Sequence, residues 1–336
     1  MRNPTGARIA VGAALIGAMA AAWQGSAVAG TSYADRPEAL ALYEKLEGQG
    51  FEHDYLRAVL DDATQQESIL KAMSRPAEKR LNWGEYRQIF VEPKRIEQGL
   101  AFWQEHADTL ARAEAEYGVP AEIIVAIIGV ETRYGRIMGS YRVLDALATL
   151  GFDYPKRSEF FLGQLEQYLL MTREEGIAPG TLKGSYAGAM GFGQFIPSSF
   201  RNFAVDFDAD GKRNIWSNPV DAIGSVAHYF SEHGWKAGEP VRSNVVMGQP
   251  ADEAWINAGL KPEVTLTEWA ERDIHTQRGL DLNQPATLMR LEMEDGDHYW
   301  FGLHNFYVIT RYNHSRLYAM AVYELSQAIR DARGNG

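Results

Sequence analysis

The run PAEIIVAIIGVETRYG, from Pro120 to Gly135, constrains this chain most, because it drives one carboxylate into an apolar segment. Its spacing predicts a helix. Pro120 suits a first turn, where a missing N–H removes no bond, and Gly135 suits a C-terminal stop. Ile124, Ile127 and Ile128 form one stripe at helical period with Glu131 in line, while Glu122, Ala126 and Arg133 take the opposite face. A carboxylate within an apolar stripe must pair with a cation or keep its proton. The negative end of the helix dipole favours the proton. A general acid working near neutral pH needs that property. The competing reading is a structural glutamate paired with Arg133, Arg136 or a more distant cation, since ion-pair networks also perturb carboxylates.

Residues 1–29 stand apart. Arg2 and Arg8 precede an apolar run from Ile9 to Trp23, and Ala27-Val28-Ala29 offers a small-residue cleavage site before Gly30. This is the pattern of a secretory signal peptide. A retained anchor is the rival, for which the run is short and rich in small residues. At 336 residues the chain can build a large core in two or three lobes, and 46% hydrophobic with 23% charged residues is ordinary for a folded soluble protein. Cysteine is absent, so an exported form is expected to rely on its core, with a metal as an optional support, instead of disulfides, and the lipid-bearing cysteine of a lipoprotein is missing after the cleavage site. The net charge is −11, and loss of residues 1–29 removes two arginines and no acid. That acidity argues against nucleic acid or an anionic membrane as partner.

Residues 36–115 read as helical, with apolar residues at three- and four-residue steps, punctuated by Pro76, Gly84 and Pro93. Beyond Trp235 the character changes. Val264 to Leu266 and Leu288 to Met293 read as extended, and Asp295-Gly296 separates the latter from a second extended run, His298 to Tyr307, as in a hairpin. A last helix is expected over Ser315 to Arg333, with Ser315 as its N-cap. The expected fold class is mainly α (α+β): an N-terminal helical lobe over 30–115, a core over 116–235, a small β-rich insertion over 236–311, and a helix over 312–336 that completes the core.

Three further segments carry chemistry. Glycines at 184, 188, 191 and 193 permit positive φ and close backbone approach, and no Gly-Lys-Ser/Thr ending points to phosphate. Ser185 and Gln194 with Tyr186, Phe192 and Phe195 fit a sugar-binding groove; tight helix packing explains the small residues equally well. Asp206, Asp208, Asp210 and Gly211 match the first half of an EF-hand loop, but position twelve is Ser217 in place of a bidentate glutamate. The bland alternative is an exposed acidic turn. Arg311-Tyr312-Asn313-His314-Ser315, with Tyr318 beyond it, gathers polar and aromatic groups where capping alone would explain Asn313 or Ser315.

Taken in order, VETRYGR, GSYAGAMGFGQFIPSSF and RYNHS resemble the lytic transglycosylase B family of peptidoglycan-cleaving enzymes, in a soluble, non-lipoprotein form. The resemblance implies a lysozyme-like helical catalytic core, a periplasmic location, and a chain acting as a monomer on peptidoglycan glycan strands. It implies Glu131 as the catalytic acid and Ser185, Gln194, Phe195, Tyr312, Asn313 and Tyr318 as substrate contacts. Tyr86 and Tyr229 match more loosely, with core packing as the alternative for each. It also implies an enlarged EF-hand-like loop holding structural calcium through Asp206, Asp208, Asp210, the backbone carbonyl of Lys212, and Asp221. Cell-wall synthases or amidases are partner classes that no residue pattern supports.

Ordinary glycosidases use two carboxyls. No second one stands out: Asp145, Glu159 and Glu166 read as solvated helix faces, and Lys156 and Arg157 as a solvated basic turn. The family reaction needs one acid, because the substrate supplies its own nucleophile. A lysozyme-like hydrolase with a second carboxylate elsewhere, and a non-catalytic peptidoglycan-binding scaffold, are the two rivals.

Overall fold

The computed structural model describes residues 32–74, 81–277 and 279–334. The leader expected over 1–29 lies outside them. In chain order the helices are α1 (Pro37–Glu47), α2 (His53–Asp62), α3 (Glu67–Ser74), α4 (Trp83–Phe90), α5 (Pro93–Glu105), α6 (Ala107–Tyr117) and α7 (Ala121–Thr132). They continue with α8 (Val143–Asp153), α9 (Ser158–Glu174), α10 (Pro197–Phe203), α11 (Pro219–Glu232), α12 (Leu266–Ala270), α13 (His304–Tyr312) and α14 (Arg316–Gly334). The strands are β1 (Tyr141–Arg142), β2 (Lys183–Gly184), β3 (Arg242–Met247), β4 (Val264–Thr265), β5 (Ile274–Thr276), β6 (Pro285–Met293) and β7 (Gly296–Gly302). Among the described residues no helix is long and apolar enough to cross a membrane.

The chain forms two compact units, each taking two stretches of sequence. This differs from the sequential division expected at 115, 235 and 311. The first unit has 81–130 and 226–334; the second has 32–74 and 131–225.

In the second unit α8 packs along α9, and α3 and α10 add to that pair. The core is apolar: Leu144, Leu147, Phe161, Leu165 and Met171 are all buried. Asp145 departs from expectation. It is 4% exposed, not solvated, and accepts hydrogen bonds from the Thr64 backbone N–H (3.0 Å) and Gln66 Nε2 (3.3 Å), with Arg142 3.4 Å away. Burial raises its pKa. Glu166 pairs with Lys45 at 3.5 Å, and Glu159 is exposed as expected. Arg157 lies over the Phe160 ring at 4.3 Å.

In the first unit, α4 opens on a capping box between Asn82 and Glu85, α4 and α5 pack on α14, and Arg87 pairs with Glu324. The five-stranded antiparallel sheet runs β4-β6-β7-β3-β5, and a cluster including Trp269, Leu288 and Phe301 covers it. The expected hairpin forms, but one residue earlier than the Asp295-Gly296 signature places it: Met293 pairs with Gly296, so Glu294 and Asp295 make the two-residue loop and Gly296 opens β7. The second extended run ends sooner than its β-branched and aromatic residues suggest. β7 stops at Gly302, and α13 takes over at His304 because Phe306, Val308 and Ile309 find buried positions at helical spacing. Likewise Thr265 ends β4 by capping α12 with Glu268. Ser315 receives the Tyr318 N–H at 3.3 Å and caps α14.

Candidate active site

Helix α7 is buried all round. Residues 123–130 are apolar or glycine, and Ala126, expected on a polar face, is fully enclosed. The amphipathic pattern fails because Ile123, Val125 and Val130 fill the gaps between the isoleucine stripe. Near its end Arg95, itself buried, donates to the Gly129 carbonyl at 3.0 Å, setting a cation at the negative pole of the helix.

Glu131 and Thr132, the last helical residues, belong to the second unit, where Glu131 is half-buried. The chain leaves the helix through three residues of positive φ: Arg133 (52°), Tyr134 (60°) and Gly135 (80°). For the two that are not glycine this conformation costs about 1–2 kcal/mol each. Strain of this kind persists where surrounding bonds over-determine the backbone. Here Thr132 Oγ1 donates to the Phe192 carbonyl (2.9 Å) and accepts the Gly135 N–H (3.0 Å), while the Thr132 carbonyl accepts the Ile137 N–H (2.9 Å).

Phe192 belongs to the glycine-rich segment, which folds on itself. Ser185 Oγ accepts the Ala187 and Ala189 N–H groups at 3.3 and 3.0 Å, and Met190 and Phe195 exchange two backbone bonds of 2.9 Å. The half-buried Gln194 has φ of 51° and spends its Nε2 on the Met138 and Gly191 carbonyls at 3.3 and 3.0 Å. Gly191 has φ of 69°, and a Cβ there would stand 2.4 Å from the Ile215 carbonyl oxygen. The same carbonyl accepts the Phe192 N–H at 3.0 Å, joining the segment to the acidic loop. Structure thus gathers Glu131, Ser185, Gln194 and Phe195 in one unit. Phe195 is 3% exposed, so it packs beneath the segment and offers little ring face.

The first unit holds the other expected site residues. Tyr229 donates its hydroxyl to the Arg311 carbonyl at 2.7 Å, and its ring lies 4.7 Å from Tyr312 and 4.0 Å from His233. Burial pushes the Tyr229 phenol up and the His233 imidazole down. Tyr312 stacks on Phe230 at 5.7 Å and, like Asn313 at the end of α13, is half-buried. Tyr86 is half-buried beside Phe90 at 5.1 Å. Tyr318 is 0% exposed, and a fully enclosed ring presents no surface to a sugar.

Asp206, Asp208 and Asp210 bring one oxygen each to within 4.8 Å of one another. Hard oxygens at that spacing suit calcium. Ala209 (φ 61°) lets the loop turn so that Asp206 accepts the Asp210 and Gly211 N–H groups at 3.0 and 2.8 Å. Asp221 stands outside that trio. Fully buried, it accepts the Phe207 N–H at 2.7 Å and the Asn214 N–H at 2.8 Å, tying the two arms of the loop. The exposed Lys212 side chain leaves its backbone as the part within the loop, whose N–H donates to Asp210 at 2.9 Å. Sequence reasoning missed the neighbouring clamp: Arg213 binds Glu175 (Nε–Oε1 2.7 Å) and Glu174 (3.3 Å), and Arg201 binds Glu174 (2.7 Å). It missed Thr132 as well, whose only signal was a hydroxyl inside an otherwise apolar helix end.

A helix-rich fold with a small sheet matches the architecture of lysozyme-like lytic transglycosylases. The transglycosylase SLT domain family matches residues 34–327. Membrane-bound lytic murein transglycosylase B of Escherichia coli (strain K12) is 46% identical over 314 residues, covering 90% of this chain and 86% of that protein. Catenated lytic transglycosylase SltB1 from Pseudomonas aeruginosa superimposes with a TM-score of 0.87 at 52% identity, over 90% of this chain and 99% of that one. The Escherichia coli lytic transglycosylase Slt35 in complex with calcium gives 0.82 at 46% identity, over 90% and 96%. The chain belongs to the lytic murein transglycosylase B family of peptidoglycan-cleaving enzymes.

Proposed function

We propose that Glu131 is the single general acid and base with which this enzyme cuts the β-1,4 bond between N-acetylmuramic acid and N-acetylglucosamine. The observation that carries this is a half-buried carboxyl at the end of a helix buried throughout residues 123–130, beside a glycine-rich strip, with Asp145 and Glu166 committed elsewhere. Protonated Glu131 donates to the glycosidic oxygen as the C1–O bond breaks. The C6 hydroxyl of the muramoyl residue then bonds to C1, and the Glu131 carboxylate takes its proton. The product is a 1,6-anhydromuramoyl end, and no water is consumed. One carboxyl suffices because it acts first as acid and then as base. Gln194, whose Oε1 is left for a ligand once Nε2 is bound, and the Ser185 O–H hold the sugar so that its own hydroxyl attacks. Tyr312 and Asn313 are assigned as further sugar contacts.

The chain is assigned to the periplasm through a signal peptide over 1–29. Its acidic loop is assigned to calcium, held by Asp206, Asp208, Asp210, Asp221 and the Lys212 carbonyl. When bound, the ion supplies charge neutralisation and rigidity to the loop. The donor chemistry supports this, and so does the calcium complex of Slt35.

Mass spectrometry of muropeptides released from purified sacculi by residues 30–336, beside Glu131→Gln, tests the assignment. Expected products are one water lighter than hydrolytic muropeptides and are absent with the variant. Reducing-end products would mean a hydrolase with a second carboxylate.

A further inference from the structure

Thr132 follows Glu131 directly and is 1% exposed. A threonine that only ends a helix needs a local bond, such as the 3.0 Å one it accepts from the Gly135 N–H. Its hydroxyl does more. It donates at 2.9 Å to the carbonyl of Phe192, sixty residues further along. Phe192 lies between Ser185 and Gln194 in the strip assigned to the sugar. Its N–H is held in turn by the Ile215 carbonyl at 3.0 Å, so the acceptor is fixed on both sides. One hydroxyl therefore joins the backbone that carries the acid to the backbone that carries the glycan contacts. The Phe192 ring closes the same joint from the other side: a Cβ on Gly135 would stand 2.2 Å from it.

We propose that Thr132 is a positioning residue for the transglycosylase reaction. It holds the last turn of α7 at a fixed offset from the 184–195 strip, so the Glu131 carboxyl meets the glycosidic oxygen of a bound strand. The proposal rests on Glu131 being the acid. A glutamate side chain magnifies small backbone shifts at its tip, and misplacement by about 1 Å lowers a rate about 100-fold. The effect belongs in kcat, because sugar binding draws on the strip itself, which keeps its own Met190–Phe195 pairing.

The test compares wild type, Thr132→Val, Thr132→Ser and Glu131→Gln on sacculi at varied concentration, well below each variant's melting temperature. Valine keeps the shape and loses the hydroxyl; serine keeps the hydroxyl. Thr132→Val should lose kcat by about 10- to 100-fold with KM within about twofold, and Thr132→Ser should stay within about threefold of wild type. Wild-type kcat in Thr132→Val with Glu131→Gln inactive would overturn the Thr132 role alone. So would a rise in KM without loss of kcat, or equal losses in the valine and serine variants. Full activity in Glu131→Gln would remove the acid assignment and this proposal with it.

Discussion

Gly135→Ala gives the sharpest test of how the helix carrying Glu131 is terminated. Gly135 sits at φ of 80°, where an alanine pays about 1–2 kcal/mol. The added methyl would also lie 2.2, 2.7 and 2.9 Å from Cε1, Cζ and Cδ1 of Phe192. Those atoms form one edge of a ring whose backbone is pinned to Thr132 and Ile215, so the ring must swing or the strip must shift. Overpacking of this sort costs about 1–3 kcal/mol. Together the destabilisation is about 2–5 kcal/mol, or a fall in Tm of roughly 4–20 °C. Thermal melts followed by circular dichroism measure it, with muropeptide release assayed in parallel below the midpoint. Adding Phe192→Ala separates the two parts. The double variant should recover about 1–3 kcal/mol relative to additivity, while the backbone part stays. A Gly135→Ala protein that melts within about 1 °C of wild type, or a strictly additive double variant, would refute the geometry.

Calcium at 100 times its dissociation constant should stabilise the protein by about 2.7 kcal/mol. Asp206→Asn should weaken that response, and a wild type that melts identically in calcium and in chelator would remove the assignment. Asp221→Ala strands the buried N–H of Phe207 and the part-buried N–H of Asn214, and should cost about 2 kcal/mol or more by denaturant titration; a loss below about 1 kcal/mol would contradict these bonds. Burial holds His233 below its ordinary 6.5, so the fold binds this proton less readily than the unfolded chain does. Its stabilisation is present above that value and is lost as pH falls through the lowered one. His233→Phe, which keeps a ring against Tyr229, should flatten the fall in Tm between pH 7 and 5, and an unchanged slope would count against it.

What the sequence made legible was local. Glu131 and the Gly135 stop stood out because charge and glycine interrupt an apolar run, and Asp-x-Asp-x-Asp-Gly announces a loop of hard oxygens. Their surroundings were set by distant partners. Asp145 looks solvated until the Thr64 backbone arrives from 81 residues away to bind it. Asp221 reads as the acidic end of a loop, and nothing in its spacing announces the backbone N–H groups of Phe207 and Asn214 that its two oxygens accept. The short strands β3 and β5 mix polar with apolar residues and owe their conformation to each other and to β7, so no pattern within them gave them away. In α13 the β-branched and aromatic residues fit either period, and burial decided for the helix. Ala126 marks the limit of amphipathic reasoning, since a helix buried all round has no polar face to find.

The ion pair between Arg87 and Glu324 joins residues 237 positions apart. Closing a flexible loop of that length opposes folding by about 5 kcal/mol beyond the fixed constant. Helices α4 and α5 therefore emerge early and wait with an apolar face uncovered until the nineteen residues of α14 reach them. During synthesis, the interval in which that face stays uncovered is the wait for the last helix.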